Sequence, residues 1–478
     1  MDRRSVADVK SQPAPFPGHP RTRILIVGAG HVGLYVALRL SKILRPSEAE
    51  ITVVDPQPHM TYQPFLPEAA AGSISPRHAV VPLRRILRDC RVLSGEVTHI
   101  SHADRVATVQ PIIGPAVEVP YDHVVVAPGS VSRTLPIPGL RENGVGFKGI
   151  GEAIWLRNHV LEQLDVAATT DDPRTRRRAL SFVFIGGGYA GVEALAEMES
   201  MARSALRYYD LPPDGMRWVL VEATQRILPE VDIDMGRYAV DEMRSRGIEV
   251  RLETKLESCV DGVVQLSDGE TFEADTIVWT AGVKPSPMLQ RTDLPRDDKG
   301  RITCSPTLQV IDAQGSVVPG AWSAGDCAAV PDLTSNKPGA FCSPSAQHAV
   351  RQARLLADNI RAVMRGVPVR RYRHKYAGSV ASLGLYQGVA QVYGIKARGW
   401  LAWFMHRTYH LSRVPSLNRK IRVVADWTLA LFLRREVVSL GGLHAPRAEF
   451  TDVTPHVDPK PAQPEAKPAQ PVPATARH

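Results

Sequence analysis

The chain has only five cysteines, at 90, 259, 304, 327 and 342, and no two are spaced as CxxC. That pattern excludes a thiolate zinc site and a thioredoxin-type dithiol; an odd, scattered set describes a reduced intracellular protein. No uninterrupted apolar run of about 18 residues occurs, so no transmembrane helix is expected. The opening stretch MDRRSVADVKSQPAPFPGHPRTR has basic residues with no apolar run behind them. It is not a signal peptide, and residues 1–21 are expected to form a flexible leader. Acids are scarce in one place. Residues 395–447 hold ten Lys or Arg but only Asp426 and Glu436, an excess of eight that accounts for most of the net +9. Such a patch suits an anionic surface; no nucleic-acid motif accompanies it, which leaves lipid headgroups.

What is present is globular. Hydrophobic residues make up 44% and charged ones 22%, which excludes a mostly disordered chain, and 478 residues suggest two or three domains. From residue 22, strands alternate with glycine turns and helices, the pattern of an α/β fold with parallel sheets. In LIVGAGHVGLYVALRL, Gly28, Gly30 and Gly33 follow an apolar strand and open a helix, and Asp55 ends the next strand, EITVVD. Gly28 permits the turn, Gly30 lets backbone N–H groups approach a pyrophosphate, Gly33 lets helix meet strand, and Asp55 can accept from ribose hydroxyls. The scheme repeats in FIGGGYAGVEALAE with Gly186, Gly188 and Gly191, followed by Glu222 at the end of the strand RWVLVE. A carboxylate there disfavours a 2′-phosphate and so favours NADH over NADPH, with Arg226 nearby as the opposing signal. Two dinucleotide sites in one chain fit hydride transfer from a nicotinamide to a flavin.

Further β-rich runs end in glycine: DHVVVAPGS with Gly129, DTIVWTAG, and GAWSAGDCAAV with Asp326. DDPRTRRR (171–178) reads as an exposed connection between the two halves. Glu193 and Glu197, four apart, share a helix face, where they serve either proton transfer or only the helix dipole. In the C-terminal segment Val424, Trp427 and Leu431 are expected to share one face, flanked by Arg419, Lys420, Arg434 and Arg435, as in a helix lying in a membrane interface. A dimer interface or a solvated core helix are the competing uses of that helix. From Thr451 the repeated KPAQP/PAQP cannot bury a core, so 451–478 is expected to be a disordered tail.

Together these motifs resemble the flavoprotein disulfide-reductase superfamily, and within it the type II, non-proton-pumping NADH:quinone oxidoreductases, over roughly residues 22–440. VDPQPHMTYQPFLPEAAAGSISP matches at Gln63, Pro64, Leu66, Ala70 and Gly72 and departs at Pro67 and Glu68, where Tyr-Gln is usual. In VVVAPGS, Pro128 replaces a Thr; in GGGYAGVEALAE, Ala190 and Ala196 replace Thr and Gly. The resemblance implies FAD and NADH as cofactors, Asp326 accepting from the FAD ribitol, and Glu193 near the nicotinamide–flavin interface as a proton relay. SPSAQHAVRQARLLADNI resembles the quinone-edge helix through Ala346, Gln347, Ala349 and Gln352, but Arg351 stands where a glutamine is expected. Gln347 and Arg351 are then the candidate acceptor-side residues, and no metal is implied. The expected organisation is an FAD-binding domain in two parts (22–150 and 289–370) around an NADH-binding domain (151–288). A C-terminal α-rich membrane-interface region (371–450) follows. The expected activity is electron transfer from NADH through FAD to a quinone, menaquinone or ubiquinone, by a peripheral protein on the cytoplasmic face of the cell membrane, with homodimerisation open. The alternatives are a non-quinone acceptor or a flavin-bound, redox-regulated interaction protein. Sulfide:quinone chemistry needs a cysteine pair beside the flavin, and no Cys lies between 91 and 258.

Overall fold

The computed structural model describes residues 21–212, 214–374, 378–433 and 437–441. The leader (but for Arg21), the Pro-rich tail, and Arg434, Arg435, Glu436 and Arg447 of the basic segment lie outside the described residues. Seven helices position the site: α1 (His31–Ile43), α2 (Leu66–Ala70), α3 (Ile150–Thr169), α4 (Tyr189–Tyr209), α5 (Ala346–Met364), α6 (Gly399–Arg413) and α7 (Leu417–Phe432).

An eight-stranded sheet runs in the spatial order 309–311, 317–323, 123–126, 22–27, 49–55, 91–101, 106–111, 117–120. The four strands from 317–323 through 49–55 and the edge of 91–101 pair in parallel; the outer hairpins are antiparallel. Strands buried on both faces must be apolar throughout, and Ile24–Val27 and Val124–Val126 are fully covered. A second sheet, 144–146, 276–279, 181–185, 217–221 and 248–251 in spatial order, is parallel throughout. The strand 317–323 thus joins the first sheet only after the whole second sheet has been laid down in sequence.

Two readings of the sequence need correction, and the α-rich C-terminal region carries a sheet ahead of its helices. DDPRTRRR is not a link between halves. Pro173–Ala179 is a helix capped by Asp172, which accepts from the Arg174 and Thr175 N–H groups, and it sits inside the second unit after α3. Pro173 in the first turn and an Asp cap suffice to start a helix even in an arginine-rich stretch. In the C-terminal region 378–382, 388–392 and 395–398 form a three-stranded antiparallel sheet before α6 and α7. These runs are short and glycine-flanked, so their alternation is weak. Finally, Trp427 does not share a face with Val424 and Leu431. It turns inward, where its indole N–H donates to Glu68 Oε2 at 2.6 Å. Val423 is buried beside it. Leu417, Ile421, Val424, Leu431 and Phe432 are left on the outer face, Phe432 83% exposed and Leu417 73%. Asp426 fixes that orientation, accepting from Ser75 N at 3.0 Å and pairing with His78.

Candidate functional site

Both glycine turns sit at the carboxyl edge of a parallel sheet, and their geometry repeats. Gly28 and Gly186 have φ of +91° and +117°, a region side chains resist. A Cβ on Gly33 would lie 1.8 Å from Gly28 O, and one on Gly191 2.0 Å from Gly186 O, so each helix touches its own turn. Over Gly30 and Gly188 nothing lies within 4 Å. The two middle glycines therefore face open space at the start of a helix, where exposed N–H groups and the dipole favour an anion. The two acids also play one part. Asp55 Oδ2 accepts from Ala29 N and its Oδ1 from Gln57 N, both at 2.7 Å. Glu222, the residue just past its strand, accepts from Gly187 N at 2.6 Å and Thr224 N at 2.8 Å. Burial pushes the Asp55 carboxyl above its usual value despite those two donors. Arg226 spends its guanidinium on the backbone carbonyls of Pro229 (2.8 Å) and Val231. It is folded back on its own loop.

Two adjoining cavities lie between the first turn and the start of α4. One, of about 550 Å³, is bordered by Gly30, Asp55 and Gln57; the other, of about 470 Å³, by Glu193, Asp326, Gln347 and Arg351. His31, Gln63, Ser132 and Lys148 line both. At their junction Lys148 Nζ donates to Ser130 Oγ, which donates to Asp326 Oδ2, each at 2.7 Å. Ser130 follows Gly129, whose φ of +70° turns the chain out of the strand 123–126. Burial lowers Lys148, although Asp326 and Glu152 oppose it. Burial also takes His31 down to about 4, so its imidazole is neutral, and its Nε2 has no hydrogen-bond partner among the described residues.

Glu193 and Glu197 lie in the second and third turns of α4, past the reach of the helix N-terminus, and are 7% and 1% exposed. The helix-dipole reading of them therefore falls. Glu193 Oε1 accepts from Ser382 N at 3.0 Å and lies 3.0 Å from His406 Nε2; Glu197 Oε1 accepts from Ser382 Oγ at 2.9 Å. Behind them Arg407 pairs with Glu68 at 3.1 Å and stacks on Trp403 and Trp427. Burial raises Glu68, with Arg407 opposing. Burial alone would lower His406, but Glu193, Glu68 and Glu197 together outweigh it, and the net direction is up. On the far wall Gln347 is tethered at both ends of its amide: Nε2 donates to Gly378 O at 3.3 Å and Oε1 faces His374 Nε2 at 3.4 Å. One amide hydrogen remains for the cavity. Arg351 donates to Gln347 O at 3.0 Å with one nitrogen and borders the cavity with the rest of its fork.

Over residues 22–353 the chain matches the pyridine nucleotide-disulphide oxidoreductase family. It belongs to that family. This oxidoreductase is 27% identical over 431 residues to the type II NADH:quinone oxidoreductase of Mycobacterium tuberculosis, which spans 87% of this chain and 89% of that one. A Staphylococcus aureus protein of the same description is 28% identical over 393 residues, 81% of this chain and 94% of its own. In fold it is similar to NDH2 from Plasmodium falciparum, solved in complex with NADH. The TM-score is 0.80 at 16% identity, with 88% of this chain and 100% of that one covered.

The residues of this oxidoreductase fit two dinucleotides. Open space over Gly30 and Gly188 admits a pyrophosphate at each turn, and each acid accepts only one backbone N–H per oxygen, which leaves acceptor capacity for a ribose. The orphaned His31 Nε2 and the Lys148–Ser130–Asp326 chain supply donors and acceptors along the channel between them. Among the described residues no three or more His, Cys, Asp or Glu are grouped to hold a metal ion. His406, Arg407, Glu68, Lys148 and His31 are the residues that the sequence reading missed as site components. Glu68 alone carried a signal, as a departure from the family pattern.

Proposed function

We propose that this chain oxidises NADH and passes two electrons through FAD to a membrane quinone without pumping protons. The observation that supports the reading is a pair of adjoining cavities that share His31, Gln63, Ser132 and Lys148, one bordered by Gly30 and Asp55 and the other by the start of α4, Glu193, Gln347 and Arg351. The FAD-binding part is 22–150 with 289–370, and the NADH-binding part 151–288. Gly28, Gly30 and Gly33 would hold the FAD pyrophosphate, with Asp55 taking its ribose and Asp326, beside Gly129, its ribitol. Gly186, Gly188 and Gly191 would hold the NADH pyrophosphate, with Glu222 taking its ribose. Bound FAD supplies a two-electron store between hydride donor and quinone. Gln347 donates its remaining amide hydrogen to a quinone carbonyl, and Arg351 stabilises negative charge developing on that oxygen. Glu193 exchanges protons on the nicotinamide side. With Arg226 engaged by its own loop and Glu222 at the ribose, NADH is favoured over NADPH.

No described helix is long and apolar enough to cross a membrane. The outer face of α7, with Trp400 and Phe404 on α6, instead offers an apolar stripe among basic residues, which docks on an anionic leaflet at its cytoplasmic face. Anaerobic addition of NADH should bleach the flavin band, and menaquinone and ubiquinone analogues should restore it. Bleaching without quinone-dependent turnover refutes the acceptor while sparing the dehydrogenase. Co-sedimentation with anionic liposomes tests the docking face, and self-association of the lipid-free protein through α7 would instead mark a homodimer contact.

A further inference from the structure

The proposed reaction, on which this inference rests, converts NADH, one proton and a quinone into NAD+ and a quinol, so each turnover draws one proton from solution. Helix α6 points two imidazoles inward one turn apart. His406 is 2% exposed, with Nε2 3.0 Å from Glu193 Oε1, and neither ring nitrogen meets hydrogen-bond geometry with a described residue. Its ring stands edge-on to that of His410 at 4.5 Å between centroids. His410 lines the cavity; its Nδ1 lies 3.4 Å from Tyr62 Oη, and Tyr62 donates to His410 O at 3.2 Å. The Tyr62 ring is in turn 5.9 Å from that of His31.

Glu193 and His410 both border the cavity, and His406 lies behind them. His406, 3.0 Å from Glu193 and in ring contact with His410, is the side chain that links the Glu193 wall to the His410 wall. We propose that His406 and His410 form a two-imidazole proton reserve, His406 storing the proton beside Glu193 and His410 delivering it to the reduced acceptor. In that step an N–H bond of His410 breaks and an O–H bond of the quinol forms. The His406 proton refills His410, and solution refills His406 through Glu193 on the cavity wall. No electrons move in it; they come from NADH.

The surrounding charges support one proton on the pair. Glu193 and Glu197 of α4 and Glu68 of α2 face His406, with Arg407 next to it on α6, and the acids hold its proton on. Around His410 stand His31 and Tyr35 of α1, Tyr62, and Tyr409 and Arg413 of α6. Burial first, then repulsion from His406 and His31, holds His410 well below its usual value. The inner imidazole is the store, and the outer one is the carrier.

The test separates proton from electron transfer in the FAD-loaded, full-length protein. His410→Gln and His406→Asn are made separately. NADH-driven flavin bleaching and reoxidation by ferricyanide, which accepts electrons without protons, should match the parent. Reoxidation by a menaquinone analogue should slow by about a hundredfold. Imidazole in solution should restore part of the rate in His410→Ala. Histidine NMR titration of the parent should show one imidazole protonated past its usual range and one neutral far below it, the first signal vanishing in His406→Asn. Equal slowing with both oxidants, or no slowing with quinone, overturns the proposal. A parent that never reduces quinone overturns the proposed function instead.

Discussion

Replacing Arg407 by Leu isolates what the buried charges under α6 contribute. The Arg407 and Glu68 side chains are 9% and 2% exposed and 3.1 Å apart, so solvent cannot take over either charge when its partner is removed. Breaking such a pair costs about 3–5 kcal/mol, because the remaining ion stays buried. The indole N–H of Trp427 still reaches Glu68, which places the expected loss near about 3 kcal/mol. Removing both charges in Glu68→Gln/Arg407→Leu leaves no orphaned ion, and the double variant should recover at least about 2 kcal/mol of the single-variant loss. The pH dependence follows from Glu68. Burial already raises its carboxyl above 4.5, and Arg407 is the largest influence holding it down. Without Arg407 it rises further. A carboxyl raised on folding favours the native state below its folded value and disfavours it above, so the Arg407→Leu deficit should shrink at pH 5 relative to pH 8. Urea unfolding followed by tryptophan fluorescence and far-UV circular dichroism measures all three proteins at both pH values. A double variant as unstable as Arg407→Leu, or a deficit that grows on acidification, refutes the reasoning.

The two turns should fail separately. Gly191→Val drives a side chain into Gly186 O and Thr280, so NADH should no longer bleach the flavin while the protein still purifies yellow. Loss of flavin in that variant would contradict the assignment. Acidification should release FAD as Asp55 protonates from its raised value, and Asp55→Asn should flatten that dependence in a flavin-fluorescence titration. Ile421→Asp with Phe432→Ser should weaken binding to anionic liposomes at least tenfold, since roughly 1.5–3 kcal/mol of burial is lost per large apolar side chain. Soluble turnover with ferricyanide should be unaffected.

The turns were legible because each is a local device: strand, glycines, helix and acid lie within about 40 residues, and each glycine has a steric reason readable from spacing. The buried network under α6 was not. Arg407 meets Glu68 from the other end of the chain, and a His-Arg pair inside WFMHRTYHL reads as surface charge until the fold buries it. The face of α7 was misjudged for a related reason. Apolar residues fall on both sides of the helix, with Val423 and Trp427 on one and Ile421, Val424 and Leu431 on the other, so period alone could not choose the inner face; the Glu68 and Asp426 bonds chose. Arg226 taught the opposite lesson, a charge suggestive in sequence and absorbed by its own loop.

The late arrival of the strand 317–323 sets an order of assembly. Ser323 bonds to Val126 across 197 residues of chain, and the second sheet is complete before that bond can form. During synthesis the second sheet can therefore fold on its own contacts while the first waits with an open edge at 123–126. Asp326 emerges only after the closing strand, so on the proposed assignment flavin capture would mark the end of assembly, and a ribosome stalled before that point would carry a colourless chain.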